Sequence, residues 1–447
     1  MTVLNIDCRH GLALLPDNSV DAILTDPPYE LGFMGHSWDR SGIAYDVAMW
    51  REALRVLKPG GHMLAFSGSR TYHRMTCAIE DAGFEVRDSI MWVYGSGFPK
   101  SLDISKAIDK IYGAERQIIG RRSDGICSGA KTHNGVAGAY GFNGEFDITA
   151  PATLAAQLWE GWGTGLKPAH EPICVARKPM QAPTVAANVL AWGVGGLNID
   201  GCRIPVDPVA DASQLRTMNV SQHDGADGWG MNTTGPKAGA RVLGLEGRWP
   251  ANFIHDGSAE VLEMFPEAAG QLAKASTKAD QRKTQTVYGN MARGSNGAEP
   301  RGDAGSAARF FQQCGWSQGD LEAALFHYCA KASKSEKNAG LENMPDRILA
   351  RSCQAQADAA RGIVVEQGAG GFNKARVVKN NHPTVKPLAL GRYLARLICP
   401  PGGTILDLFA GSGSFPLAAK LEGLQPLGFE LDPEHCELAN ARLANGA

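Results

Sequence analysis

The chain has 447 residues, 44% hydrophobic and 20% charged, which is enough apolar mass for a sizeable core in one large domain or two to three ordinary ones. No apolar run reaches the ~18 residues of a membrane-spanning helix, and no basic-then-apolar leader opens the chain, so neither a span nor a signal peptide is expected. A net charge of -2 excludes a uniformly basic surface, and the 10 scattered cysteines, with no Cys-x-x-Cys pair or His/Cys cluster at zinc spacing, fit a reduced cytoplasmic compartment without a metal site.

The first hundred residues alternate strand and helix patterns. A strand is expected over 20–24, followed by Asp26-Pro27-Pro28-Tyr29 at its exit. A helix over 49–57 carries Trp50, Ala53, Leu54 and Leu57 on one side, and Lys58-Pro59-Gly60-Gly61 should end it with a turn. A strand over 62–66, a helix over 72–82 and a strand over 89–93 follow. Such alternation argues a doubly wound, mostly parallel α/β sheet with helices on both faces.

Residues 101–160 break the rhythm, with a helix over 105–111 and a Gly/Ser/Asn-rich piece over 120–144; one more strand is expected over 173–176. From 183 to 381 no repeated βα unit is visible, and 225–247 and 289–305 read as long loops. Between Lys274 and Arg309 bases outnumber acids, which alone describes a solvated face as well as a binding one. Order returns at His382, with helices over 387–398, 414–421 and 433–443 and strands over 404–408 and 426–429. This C-terminal βαβα piece is too small to fold alone and needs the N-terminal sheet to complete it.

Asp407-Leu408-Phe409-Ala410-Gly411-Ser412-Gly413-Ser414 runs from an apolar strand into a helix. Glycines there let backbone approach a ligand, and the helix start offers free N–H groups. Glu430, ending the next strand, is placed to accept hydrogen bonds from ribose hydroxyls. A dinucleotide fingerprint would need a glycine where Pro416 stands. The pattern therefore suits a cofactor with a ribose and an amino-acid tail but no pyrophosphate.

Asp26-Pro27-Pro28-Tyr29 resembles the catalytic tetrapeptide of amino-group methyltransferases that use S-adenosylmethionine, and Asp407 to Gly413 resembles their cofactor motif. His382-Pro383-Thr384-Val385-Lys386-Pro387 resembles the segment leading into that motif in the DNA-modifying branch. With the tetrapeptide first and the cofactor motif last, the chain resembles the β-class N6-adenine/N4-cytosine DNA methyltransferases. Lys58 to Gly61, Gly97 to Ser101 and Lys167 to Ile173 add further matches. The resemblance implies a Rossmann-like, circularly permuted methyltransferase sheet with its catalytic half at 1–182 (an insert at about 101–160) and its cofactor half at 382–447. An irregular target-recognition region over 183–381 would lie between them.

Carried over by residue, the resemblance makes Asp26, Pro27, Pro28 and Tyr29 catalytic. It puts Asp407, Phe409, Ala410, Gly411, Ser412 and Gly413 around the cofactor, Glu430 on its ribose, Thr384 and Lys386 near its methionine end, and Asp7 on its adenine. His36, Trp38, Phe98 and Lys100 are candidates for substrate DNA, beside solvated or core alternatives. The chemistry agrees: an exocyclic ring nitrogen is a poor nucleophile, and two fixed acceptors at Asp26 and Pro27 would draw it toward tetrahedral geometry.

The implied activity is methylation of a flipped base in double-stranded DNA. Asp26 leans toward adenine N6, and cytosine N4 stays open. A homodimer and a cognate restriction enzyme, or an orphan enzyme, belong to the same analogy. Two other classes compete: a catalytically silent DNA-binding regulator, disfavoured by the intact tetrapeptide, and a nicotinamide oxidoreductase, disfavoured by Pro416.

Overall fold

Strand-forming apolar runs separated by amphipathic helices assemble into one large sheet. The structure, a computed structural model, describes residues 2–32, 37–95, 97, 101–122, 146–204, 216–218, 241–243, 247–267, 306–314, 338, 341, 347–349, 376–378, 380, 382 and 385–445. The chain divides into two compact units, Met1–Asn198 with Asn252–Val261 and Gln313–Ala447, and Ile199–Ala251 with Leu262–Gln312.

The first unit contains β1 (Val3–Asn5), β2 (Val20–Thr25), β3 (Leu57–Phe66), β4 (Glu85–Val93), β5 (His170–Arg177), β6 (Phe253–His255), β7 (Thr404–Asp407) and β8 (Gln425–Glu430). In space these run β1-β8-β7-β2-β3-β5-β4-β6. All neighbours are parallel except around β5, which is antiparallel to both β3 and β4. The sheet is thus doubly wound and mostly parallel, and β1 at the start of the chain pairs with β8 near its end. On one flank of β7 lie β8 and then β1, and on the other flank lie β2 and then β3, so the strand order departs from β7 in both directions. A crevice at the carboxyl ends of β7 and β2, where the order reverses, is where ligands bind such sheets.

Burial follows the sequence pattern. β2 is buried along its whole length, as befits a strand covered on both faces. The helix Val47–Val56 buries Met49, Trp50, Ala53 and Val56, with Asp46 capping it by accepting from the Ala48 and Met49 amides at 2.9 and 3.3 Å. Trp50 joins Ile23, Leu57, Met63 and Leu406 in the main core, each such side chain contributing ~1.5–3 kcal/mol on burial.

Three expectations are corrected. The turn at 58–61 does not separate helix from strand; it is a bulge within β3, where the register with β2 shifts between Val20/Leu57 and Ala22/His62. Gly60 adopts φ +79° there, and its amide donates to the Lys178 carbonyl at 3.0 Å. Lys58 in this bulge donates to Asp21 Oδ1 at 2.5 Å, while Asp21 Oδ2 accepts the Thr404 amide at 2.7 Å, so one carboxylate ties β2, β3 and β7 together. The strand expected over 89–93 begins at Glu85, whose polar start is held by ladder pairing to β5 and by the Arg177 guanidinium. β6 comes from a stretch with no visible strand signal, yet pairs with β4 at Phe253↔Met91, Ile254↔Trp92 and His255↔Val93.

The insert builds a helix, Ile104–Tyr112, and a hairpin of Ile118–Arg122 with Phe146–Thr149. Its hub is the buried Asp109, which accepts from Arg116, from the Ala152 and Thr153 amides and from the Thr153 hydroxyl. In the second unit Arg203 bonds Asp200, and the Arg248 and Arg309 guanidiniums lie over the Phe310 ring at 5.1 and 4.3 Å. The loops expected over 225–247 and 289–305 lie outside the described residues, apart from Arg241–Leu243 and Gly247. No helix among the described residues is long and apolar enough to cross a membrane.

Candidate active site

β2 and β7 pair in parallel at Ala22↔Ile405 and Ile23↔Leu406, so their exits, Asp26 and Asp407, open side by side. Thr25 links them: its hydroxyl donates to Asp407 Oδ1 at 2.9 Å and accepts the Leu408 amide at 3.1 Å. Asp407 also accepts the Phe409 amide at 3.1 Å, which starts the glycine turn. Burial pushes the Asp407 carboxyl up to about 7.

The turn is built for close approach. Gly411 and Gly413 have φ +53° and +79°, a region side chains rarely adopt. A Cβ on Gly413 would lie 2.9 Å from Ala439 Cα. Gly411 donates its amide to Glu430 Oε2 at 2.7 Å, and Asp432 donates to Oε1 at 2.8 Å. Burial raises the Glu430 carboxyl, and these two amides oppose the rise. The wholly buried Arg442 donates to the Ser412 carbonyl at 2.7 Å, and Asn380 donates to the Ser412 hydroxyl at 3.0 Å.

Around the tetrapeptide the geometry is tighter than its sequence suggests. Lys386, 6% exposed, donates to Asp26 Oδ2 at 2.7 Å and to the Tyr29 hydroxyl at 3.0 Å, and lies 3.2 Å from Glu171 Oε2. The Tyr29 hydroxyl in turn donates to Glu171 Oε2 at 2.7 Å. The ammonium sits 5.2 Å from the Tyr29 ring centre and 4.9 Å from that of Phe66. The Thr71 hydroxyl donates to the Tyr29 carbonyl at 2.7 Å and fixes the backbone. Asp26 Oδ1 is buried and has no hydrogen-bond partner among the described residues.

Burial raises the Asp26 carboxyl, Lys386 opposes the rise and Glu171 adds to it. Burial works against the Lys386 charge, but Asp26 and Glu171 outweigh it and hold the ammonium above its ordinary range. Burial and the same two carboxylates raise Tyr29 well above the usual phenol range, so it remains a hydroxyl donor at neutral pH.

One cleft of ≈ 2070 Å³ gathers these groups: Asp7, the tetrapeptide, Glu171, His382, Lys386, Asp407 with the turn residues 408–412, and Glu430 all line it. Asp7 is partly committed, since it caps the helix Cys8–Ala13 through the Arg9 amide and pairs with the Arg9 guanidinium at 2.7 Å, which lowers its carboxyl. Gly413 supports the turn from behind, against Ala439. Lys386, expected near the cofactor's methionine end, has its ammonium on the tetrapeptide. Thr384, His36, Phe98 and Lys100 lie outside the described residues, and Trp38 belongs to the short turn Ser37–Arg40.

Residues 20–441 match the N6/N4 family described as DNA methylase. The chain belongs to that family. Among curated relatives of the chain, M.HpaI of Haemophilus parainfluenzae, a type II methyltransferase, is 32% identical over 107 residues, 23% of this chain and 34% of its own length. YubD of Escherichia coli K12, named as a methylase, is 42% identical over 88 residues, 18% of this chain and 37% of its own length. The matches thus span about a third of those relatives' lengths. Among solved structures, the PvuII DNA methyltransferase, described as cytosine-N4-specific, aligns over 99% of this chain and 87% of its own at 12% identity and a TM-score of 0.36. The M1.HpyAVI–SAM complex aligns over 99% and 98% at 14% identity and a TM-score of 0.35.

Sequence reasoning did not assign Glu171 a role. The signal was the antiparallel strand: β5 runs against its neighbours, so its first residues, not its last, reach the edge where β2 and β7 end. An acid at that strand entry faces the site.

Proposed function

We propose that this DNA methylase transfers a methyl group from S-adenosylmethionine to the exocyclic N6 of a flipped adenine in double-stranded DNA. The observation that carries the reading is Asp26 Oδ1, a buried acceptor with no partner among the described residues, in the cleft shared with the glycine turn. An unpaired buried oxygen costs stability unless a ligand N–H completes it.

The residues around the turn suit the cofactor. Each Glu430 oxygen accepts one backbone amide, which leaves further lone pairs for ribose hydroxyls, and the glycines at positive φ bring backbone to the cleft. When bound, S-adenosylmethionine supplies an electrophilic methyl on a sulfonium sulfur that leaves as a neutral thioether. Asp26 Oδ1 accepts one amino N–H of the target base and the Pro27 carbonyl accepts the other, drawing the nitrogen toward tetrahedral geometry. The lone pair is then freed from the ring for in-line attack. The Tyr29 ring, fixed through its hydroxyl by Glu171 and Lys386, offers a stacking surface that offsets part of the few kcal/mol lost on flipping. The proton released after transfer passes to Asp26 or to water, and no nucleophilic cysteine is needed.

Asp rather than Ser at the first tetrapeptide position supports adenine over cytosine. The test is transfer of an isotope-labelled methyl to enzymatically amplified, unmodified genomic DNA, followed by digestion to nucleosides and mass spectrometry. Labelled N6-methyladenine is expected; N4-methylcytosine as sole product overturns the adenine reading, and no labelled nucleoside overturns the activity.

A further inference from the structure

Glu171 lies in the Lys167 to Ile173 segment, to which the sequence assigned no chemical role, yet it closes the hydrogen-bond circuit behind the tetrapeptide. We propose, on the reading of the site given above, that Glu171 is a positioning residue for methyl transfer. It anchors Lys386 and Tyr29 so that Asp26 presents one free oxygen, and it leaves the cluster with one net negative charge facing the target amino group.

An ammonium has three hydrogens, and Lys386 has three acceptors within reach, Asp26 Oδ2 at 2.7 Å, Tyr29 Oη at 3.0 Å and Glu171 Oε2 at 3.2 Å. The Tyr29 hydroxyl spends its one hydrogen on Glu171 Oε2 at 2.7 Å. Every hydrogen is thereby directed to a named oxygen, and among the described residues Asp26 Oδ1 is the oxygen left over. Without Glu171, Lys386 has one fewer acceptor and is free to turn toward Oδ1, masking the atom the amino group needs.

Charge acts in the same direction. Asp26 and Glu171 carry two negative charges against the single positive charge of Lys386, and the three lie in a largely buried site, with side chains 15%, 12% and 7% exposed. An Asp26–Lys386 pair alone would be neutral. Nitrogen becomes positive as it attacks a sulfonium carbon, and a fixed negative charge nearby stabilises that change more than it stabilises the neutral ground state. The groups facing Asp26 are Lys386, Glu171 and Tyr29, with Asp407 beside it on the β7 exit; Tyr94 faces the far side of Glu171, 3.5 Å from Oε1. Of these, Glu171 is the second carboxylate that Lys386 binds directly.

The experiment uses the full chain with Glu171→Gln, Glu171→Ala and Glu171→Asp. Methyl transfer to unmodified DNA is followed in single turnover across pH, alongside calorimetric binding of S-adenosylmethionine. Glu171→Gln keeps a hydrogen-bond acceptor but removes the charge. The expected result is a fall in the transfer rate of about a hundred-fold with cofactor affinity held within a few-fold. Glu171→Asp should recover part of the rate, and Glu171→Ala should be slowest.

The pH profile separates positioning from mere support. Glu171 helps to raise the Asp26 carboxyl, so removing its charge lowers the pH at which Asp26 ionises. The acid limb of the Glu171→Gln rate profile should therefore move to lower pH. A wild-type rate and profile in Glu171→Gln overturns the proposal. So does an equal loss in all three variants accompanied by lost cofactor binding, which would make Glu171 a folding residue. If the wild-type protein transfers no methyl group at all, it is the reading of the site that fails, a result distinct from either.

Discussion

At the scale of single residues, the candidate site rests on two oxygens of one side chain. Asp26 Oδ2 is bound to Lys386, and Oδ1 has no partner among the described residues. Asp26→Ala removes the open acceptor, and the transfer rate should fall by about a thousand-fold or more. S-adenosylmethionine binding, measured by calorimetry, should change little, because the turn is held separately by Glu430 and Arg442. A near-normal turnover in Asp26→Ala would show that the acceptor is not Asp26. The variant should still fold, since Lys386 keeps Glu171 as its counter-ion.

Gly413 makes the opposite test. A side chain there meets both φ +79° and the Ala439 backbone at 2.9 Å, so Gly413→Asp should abolish cofactor binding. An unchanged calorimetric titration would remove the turn from the cofactor site. Asp26, Asp407 and Glu430 were legible in the sequence because their residue types and strand-exit positions carry their chemistry locally. The partners of Asp26 were not. Lys386 lies 360 positions away, and its ammonium meets the tetrapeptide only once the sheet is assembled.

At the scale of elements, parallel strands with apolar runs were legible, and the strands that depend on neighbours were not. β2, the helix Ser414–Leu421 and β8 carry their periodicity in their own residues. β6 is three residues long and exists through its ladder to β4, so no local pattern could announce it. The bulge at 58–61 looked like a helix stop because glycine and proline punctuate chains in both settings.

The C-terminal helix Pro433–Asn445 does more than cover the sheet. Its Arg442 reaches the Ser412 carbonyl from a fully buried position and braces the glycine turn from behind. Arg442→Met keeps most of the apolar stem but leaves that carbonyl without its charged donor, a loss of ~1–3 kcal/mol. The expected outcome is a lower unfolding midpoint together with about ten-fold weaker S-adenosylmethionine binding. Unchanged thermal denaturation and unchanged affinity would show that the helix does not support the turn.

At the scale of the whole molecule, the order of motifs becomes a statement about topology. β1 and β8 pair as neighbours although they stand at opposite ends of the sequence, with Val3↔Gly428, Leu4↔Phe429 and Asn5↔Glu430 in register. Asn440 seals the junction: its side chain donates to the Val3 carbonyl at 2.8 Å and accepts the Val3 amide at 3.2 Å. From Asn440 the helix continues to Asn445, about 7.5 Å further along its axis at 1.5 Å per residue. A short flexible linker of about eight residues can therefore join residue 445 to residue 3 without disturbing the sheet. The exposed turn at Pro401 and Gly402, between the helix Leu388–Ile398 and β7, offers a place to reopen the chain. The permuted protein would begin at β7 with the glycine turn and reach the tetrapeptide afterwards, while every ladder pair stays available. Since the site is made by the sheet and not by the order in which its strands are joined, this variant should fold, bind S-adenosylmethionine within about ten-fold of the parent and transfer methyl groups to the same base. Loss of cofactor binding in a permutant that still unfolds cooperatively would mean that the continuous segment from His382 into β7 is itself required to assemble the site.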